Sequence, residues 1–294
     1  MVNKYLSRAD SYKNLSIIVF FHLSFVCVSI FLIINFSLLI SIPLFIVIAF
    51  IHQKFMGEFL HEGCHSNLQK NGFLNEIVSN YLVGICIFIT VNNYRKLHFK
   101  HHKFTSFFEG DDPETGFLKI YKKSDFWKNV ALDLLGYNAL KMLRDYSLNE
   151  KDESKFSFKI DKVFYIYVLI HFCVFVLLVI YNFYLFYLIY YLTLGTLSKL
   201  QRRFVVLCQH IFIKEDNQKV QYEVTTSRTI VGNFVETIFF NSDINGYHDL
   251  HHENSMYPYR KLKKMFDESE PKEEINTFST TRFHIIKKYY NSLL

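Results

Sequence analysis

The sequence predicts an all-α integral membrane protein, with four transmembrane helices arranged as two hairpins and a cytoplasmic helical cap carrying a histidine-rich dimetal site. Three observations predict it. Residues 15–53 and residues 163–198 contain no Asp, Glu, Lys or Arg, while the chain as a whole is 50% hydrophobic and 18% aromatic. Three short histidine boxes stand between and after these runs: His61-Glu62-Gly63-Cys64-His65, His98-Phe99-Lys100-His101-His102 and His248-Asp249-Leu250-His251-His252.

At about 1.5 Å rise per residue, a bilayer core needs about 20 helical residues, so the first run crosses twice. Its turn falls around Asn35 to Ser37, with Pro43 just inside the second helix, and the first box follows directly. Between the first and second boxes, Ile77 to Asn93 reads as a short apolar helix interrupted by Asn80, Asn92 and Asn93. A full crossing there would put the two boxes on opposite faces of the membrane, so a helix lying in the interface or dipping shallowly is expected. The second run makes the second hairpin, with Tyr181-Asn182-Phe183-Tyr184 as its turn.

Lys4, Arg8, Lys13, Lys54, Lys162, Lys199, Arg202 and Arg203 flank the hairpins, and neither turn carries a charge. The positive-inside rule then places both termini, residues 54–162 and residues 199–294 in the cytoplasm, as for a multi-pass protein of a bacterial inner membrane. All three boxes fall on that side. The first run is longer than a secretory h-region and has no small-residue cleavage site, so it is expected to be retained. No repeat or linker composition divides the chain, and residues 1–294 read as one domain. The net charge of +6 is spread over the cytoplasmic segments, with no continuous basic stripe. Nucleic acid is therefore not an expected partner, whereas anionic lipid or an acidic redox protein is. The five cysteines are scattered without a C-x-x-C pair, which excludes a disulfide framework and a cysteine metal site.

On a helix, residues at i, i+3 and i+4 share a face, so each box can aim its imidazoles at one point. Neutral imidazole suits iron, zinc, copper and nickel, whereas magnesium and calcium prefer oxygen. The eight box histidines, His61, His65, His98, His101, His102, His248, His251 and His252, exceed the three or four ligands of one zinc site. Two metal ions fit better, and a histidine-rich pair with open positions suits iron that activates O2. Glu62, Asp111 and Asp249 are candidates to accept from the outer N–H of these imidazoles, with Asn245 in a similar role. His22, His52, His171 and His284 are read as structural.

These boxes resemble those of the membrane fatty acid desaturases, the non-haem di-iron enzymes that also include hydroxylases and ketolases. The likeness extends to Tyr94-Arg95-Lys96-Leu97 before the second box, and to Thr105 and Asp111-Asp112-Pro113-Glu114 after it. It continues in Asn245-Gly246-Tyr247 before the third box and Tyr257-Pro258-Tyr259-Arg260 after it. It covers roughly residues 56–265, and the context is most similar to the bacterial branch that includes dihydrorhizobitoxine desaturase. The resemblance implies two iron ions, O2 as co-substrate, a fatty-acyl or related lipid-like substrate and a double bond as product. It also implies a further ligand at the end of the fourth helix, where Gln209-His210 stands. Gln209 departs from the glutamate common there, and no asparagine precedes His210 by one helical turn. The chain carries no dinucleotide, flavin or haem motif, so a separate ferredoxin or cytochrome b5-type donor must supply electrons.

Two rival readings are weaker. His61-Glu62-Gly63-Cys64-His65 also satisfies the H-E-x-x-H motif of zinc proteases, but a membrane protease leaves both later boxes unexplained. A metal transporter would line the membrane interior with its ligands, whereas these cluster outside it.

Overall fold

The structure is a computed structural model, and it describes residues 3–104, 120, 122–141, 160–210, 227–230, 232–240, 242–268 and 282–294. Every regular element among the described residues is helical. Helix α1 (Arg8–Asn35) begins at a capping box in which Ser7 Oγ accepts from the Asp10 N–H at 3.0 Å and Asp10 Oδ2 accepts from the Ser7 N–H at 3.2 Å. The chain reverses at Phe36–Ser37, the expected turn, and α2 (Leu38–Cys64) packs back along α1. With 27 residues, α2 reaches about 40 Å, against about 30 Å for a bilayer core. It is thus longer than such a core requires, and its last turn carries His61, with His65 as its C-cap.

Helix α3 (Gly72–Ile87) includes a π-helical segment, Val78–Gly84, and stops where Phe88 takes the left-handed φ of 58°. Helix α4 (Val91–Phe104), which holds the second box, leaves at 87° to it. A break of this kind frees backbone carbonyls that apolar surroundings cannot satisfy. Three side chains from the long helices fill that need. The His22 Nε2–H donates to Leu82 O at 2.7 Å, the Tyr167 hydroxyl to Asn80 O at 2.8 Å and the His171 Nε2–H to Ile85 O at 3.0 Å. Because His22 donates through Nε2, its Nδ1 accepts from His52 Nε2 at 3.0 Å, and His52 Nδ1 accepts from the Tyr190 hydroxyl at 2.9 Å. His22 and His52 lie close to Cys86 as well, but hydrogen bonds already account for both imidazoles.

Helices α5 (Lys123–Leu134) and α6 (Lys162–Ile180) follow, and after a turn with Asn182 at φ 62° comes α7 (Tyr184–Thr193). A second π-helical segment, Leu194–Ser198, joins α7 to α8 (Lys199–Gln209). Among the described residues three helices, α1, α2 and α6, are long and apolar enough to cross a membrane, and the bent pair α3–α4 would add a fourth only if taken as one span. The return limb of the second hairpin is not among these helices because the π-helical segment Leu194–Ser198 divides it, but α7 runs through that segment into α8 without leaving helical backbone. Thr193 and Thr196 return their hydroxyls to Ile189 O and Leu192 O, and Gly195 lies between them. Such back-bonding and glycine favour irregular helix there.

The rest of the described residues supply short helices around the ends of α2, α4 and α8: α9 (Phe234–Phe239), α10 (Asp243–Gly246), α11 (His248–Glu253), α12 (Tyr259–Glu268) and α13 (Arg282–Asn291). Buried ion pairs fasten them: Asp133 of α5 to Arg203 of α8, and Glu236 of α9 to Arg282 of α13.

Candidate metal centre

The first box lies in the final turns of α2, where four backbone carbonyls lack helical partners. Two of these are capped from outside. Asn75 Nδ2 donates to Gly63 O at 2.8 Å, and Arg95 Nε donates to Cys64 O at 2.9 Å. Arg95 stands one turn before His98 and also binds Glu76 at 2.6 Å, so one guanidinium fixes the second-box helix against the end of the first. Gly63 is required by packing: a Cβ there would collide with Ser79 of the π-helical segment.

The third box begins α11, and its position is set by two short ladders. Arg228 N donates to Gln209 O at 2.7 Å and Ile230 N to Gly246 O at 3.0 Å, so residues 227–230 bridge the end of α8 to the start of the box. This places His210 beside His248. On the other flank, Tyr259 N donates to Glu62 Oε2 at 3.2 Å, and Asn67 Nδ2 donates to Ser255 O and Tyr257 O. Glu58 accepts from both the N–H and hydroxyl of Ser242 at 2.7 Å while pairing with Lys54.

All nine histidines singled out from the sequence come together, in two groups. His61, His65, His98, His102 and His251 form one, and His101, His210, His248 and His252 form the other, with the ring nitrogens of each group within 4.8 Å of one another. Each H-x-x-H-H box divides in the same way. Its i and i+4 members join one group and its i+3 member joins the other. The groups touch: the rings of His102 and His252 stack with centroids 4.4 Å apart.

Within each group the nitrogens converge as ligands of one cation would. His102 Nε2 lies 2.9 Å from His98 Nε2 and 3.1 Å from His251 Nε2; His248 Nε2 lies 3.1 Å from both His210 Nε2 and His252 Nε2. Nitrogens bound to one metal at about 2.1 Å sit about 3 Å apart when the bonds are at right angles. A proton can bridge only one pair of each trio, whereas a cation serves all three. His61 Nε2 and His65 Nε2 are moreover buried with no hydrogen-bond partner. Burial first, and neighbouring imidazoles second, push His98, His248, His251 and His252 well below the ordinary histidine pKa, which keeps them neutral and able to ligate. The donor set therefore fits a pair of histidine-bound metal ions.

The expected carboxylate partners are distributed differently. Glu62 Oε1 is buried 3.9 Å from His61 Nδ1, too far for a hydrogen bond, and the other oxygen is held by Tyr259. A carboxylate committed in this way, outside both nitrogen groups, does not match the general base of a zinc protease. Asp249 accepts from the Ser227 hydroxyl at 3.2 Å, which ties the third box to the strand-like bridge beside His210. Asp111 and Asp112 lie outside the described residues, as does the side chain of Asn245. His22, His52 and His171 are engaged in the helix contacts already described, and His284 is exposed. Asn75, Asn67 and Glu58 were not singled out from the sequence, and Arg95 only as part of the stretch before the second box. A polar residue in an apolar neighbourhood was the one signal that could have marked Asn75 and Glu58.

A family model described as fatty acid desaturase matches residues 37–280, over four-fifths of the chain and all nine histidines. It assigns no branch within that family. No curated protein and no solved structure matches the chain.

Proposed function

The chain belongs to the fatty acid desaturase family, and from that premise we propose that it is an O2-dependent membrane desaturase that places a double bond in a fatty-acyl or related lipid-like chain. The observation that carries the reading is the division of nine imidazoles into two touching groups inside the matched region. We assign His61, His65, His98, His102 and His251 to one iron and His101, His210, His248 and His252 to the other. When bound, two non-haem irons supply the O2 activation and oxidising power that no side chain possesses.

The protein's own residues do the remaining work. Neutral, buried imidazoles present lone pairs at fixed separations, and Arg95, Asn75 and Glu62 hold the three boxes in register. The apolar faces of the long helices receive the acyl chain, and the depth to which it enters selects the carbon that reacts. Electrons come from a separate ferredoxin or cytochrome b5-type donor. In this reading α1–α2 and α6–α7 are the two membrane hairpins, the bend between α3 and α4 dips into the interface without crossing, and the centre faces the cytoplasm.

Product analysis tests the proposal. The chain is expressed in a host of known lipid composition with a compatible reductase system, and its acyl products are compared with those of a host carrying the empty vector. A mass lower by two hydrogens is expected. A gain of one oxygen would reassign the chain to the hydroxylases of the family, and peptide cleavage by a one-zinc protein would overturn the reading.

A further inference from the structure

Among the described residues, helix α5 presents an apolar face that is largely uncovered, with Tyr290 reaching only the edge of the Trp127 indole. Trp127 is 58% exposed, and Leu134 and Leu135 continue its stripe, the latter 77% exposed. Tyr137 and Leu140 extend the patch past Gly136, which turns the chain with φ 72°. Exposed apolar surface of this extent marks an interaction site. The surface does not stand alone. Gly136 and Ala139 rest against Gly195 and Thr196 of the second π-helical segment, and Leu188 and Leu192 on the outer face of α7 lead directly up to that contact. The patch therefore continues the apolar surface of the second hairpin at the level where its charge-free run ends, one residue before Lys199.

Polar chemistry surrounds it as a headgroup region would require. Lys122, Lys123, Lys128 and Lys141 are exposed around the patch. Lys128 and Lys141 also border a cleft of about 520 Å³ shared with Asp125, Asn129, Leu132, Tyr137 and Asn138. Tryptophan and tyrosine concentrate at membrane interfaces, and lysine keeps its charge in water while its stem lies on apolar surface. A protein partner could cover the α5 face, but the continuity with α7 means that one occupant must cover both. With α7 read as a membrane helix, the occupant common to both is the bilayer.

We propose that the face of Trp127, Leu134, Leu135, Tyr137 and Leu140 lies in the lipid interface, as an anchor beside the second hairpin, with Lys128 and Lys141 at headgroup level. This rests on the membrane reading of the long helices. It moves part of residues 54–162 from the aqueous cap into the interface, and it supports the π-helical segment after α7 from the side. The amphipathic segment would bury its apolar face about 5–10 Å deep in lipid.

Trp127 is the single tryptophan of the chain, so its fluorescence reports on this face without substitution. The full chain is reconstituted in nanodiscs containing lipids brominated either near the glycerol end or near the methyl end of the acyl chain. Quenching by the shallow bromines should remove about half of the emission, with a smaller loss from the deep ones and weak quenching by iodide. The double variant Leu135→Glu with Leu140→Glu, at exposed positions, should lower the shallow quenching and raise that by iodide. Free quenching by iodide with none by either lipid would place the face in water and overturn the proposal. Insensitivity to all three quenchers would show protein covering it, which also overturns it. Failure of the folded chain to enter nanodiscs at all would instead remove the membrane reading beneath it.

Discussion

His251 and His252 are neighbours in sequence but belong to different nitrogen groups, and this separates their expected phenotypes from simple loss of a box. His251→Ala leaves four imidazoles in one group; His252→Ala leaves three in the other. Each should abolish turnover, and His252→Ala should lower the metal content from about two ions per chain to about one, whereas His251→Ala, with four imidazoles left, should retain more metal, read by elemental analysis of the purified protein. His210→Ala should act as His252→Ala does, because only three imidazoles remain with it gone; two retained ions would show that the eight box histidines suffice. His284→Ala, at an exposed position, should change neither quantity. Protonation acts on the same groups. Because His98, His248, His251 and His252 titrate well below the ordinary value in the fold, the unfolded chain binds more protons as pH falls below about 6.5. Stability of the metal-free protein is thus full above that pH and declines below it. Denaturant titrations at about pH 8 and about pH 5.5 should give a lower midpoint in acid; coincident midpoints would argue against buried neutral imidazoles.

Between elements, the tightest constraint is the crossing of α2 with the π-helical segment of α3. Gly63 sits where any side chain would meet Ser79, so Gly63→Ala should cost about 1–3 kcal/mol by overpacking. Adding Ser79→Gly should recover much of that loss in thermal unfolding, and no recovery would mean that the glycine serves some other need. Its presence between Glu62 and Cys64 was visible in the sequence, but its reason was not, since the partner comes from a different helix. The same holds for Arg95 and Asn75: capping carbonyls at the end of α2 is a tertiary role that leaves no periodic trace. The boxes were legible because i, i+4 spacing is a local property of a helix. His210, a lone histidine, could be singled out only through the resemblance to the family. The π-helical segment after α7 escaped because charge-free length registers hydrophobicity, while the irregular turn depends on Thr193 and Thr196 hydrogen-bonding backbone carbonyls.

At the scale of the whole molecule, parity decides whether the centre can exist, because all its ligands must reach one side of the bilayer. Single cysteines introduced as Asn35→Cys and Asn182→Cys, in a background without the five native cysteines, should react with a membrane-impermeant thiol reagent in intact cells. Lys103→Cys and Lys263→Cys should be protected. Labelling at Lys103→Cys with protection at Lys263→Cys would mean that the α3–α4 bend crosses the membrane and separates the boxes. The way the two histidine groups are interleaved also orders the protein's biosynthesis. A ribosome delivers His61, His65, His98, His101 and His102 early, then both limbs of the second hairpin, and only afterwards His210 and the third box. One group waits for its fifth nitrogen, and the other for three of its four, until the second hairpin has been made. If the two groups hold iron as proposed, the metal is captured only after the second hairpin has been made, and its binding closes the loops between the first and third boxes, as a staple would. A cell short of iron would accumulate chains inserted but unfastened, with the third-box region the first to be offered to proteases.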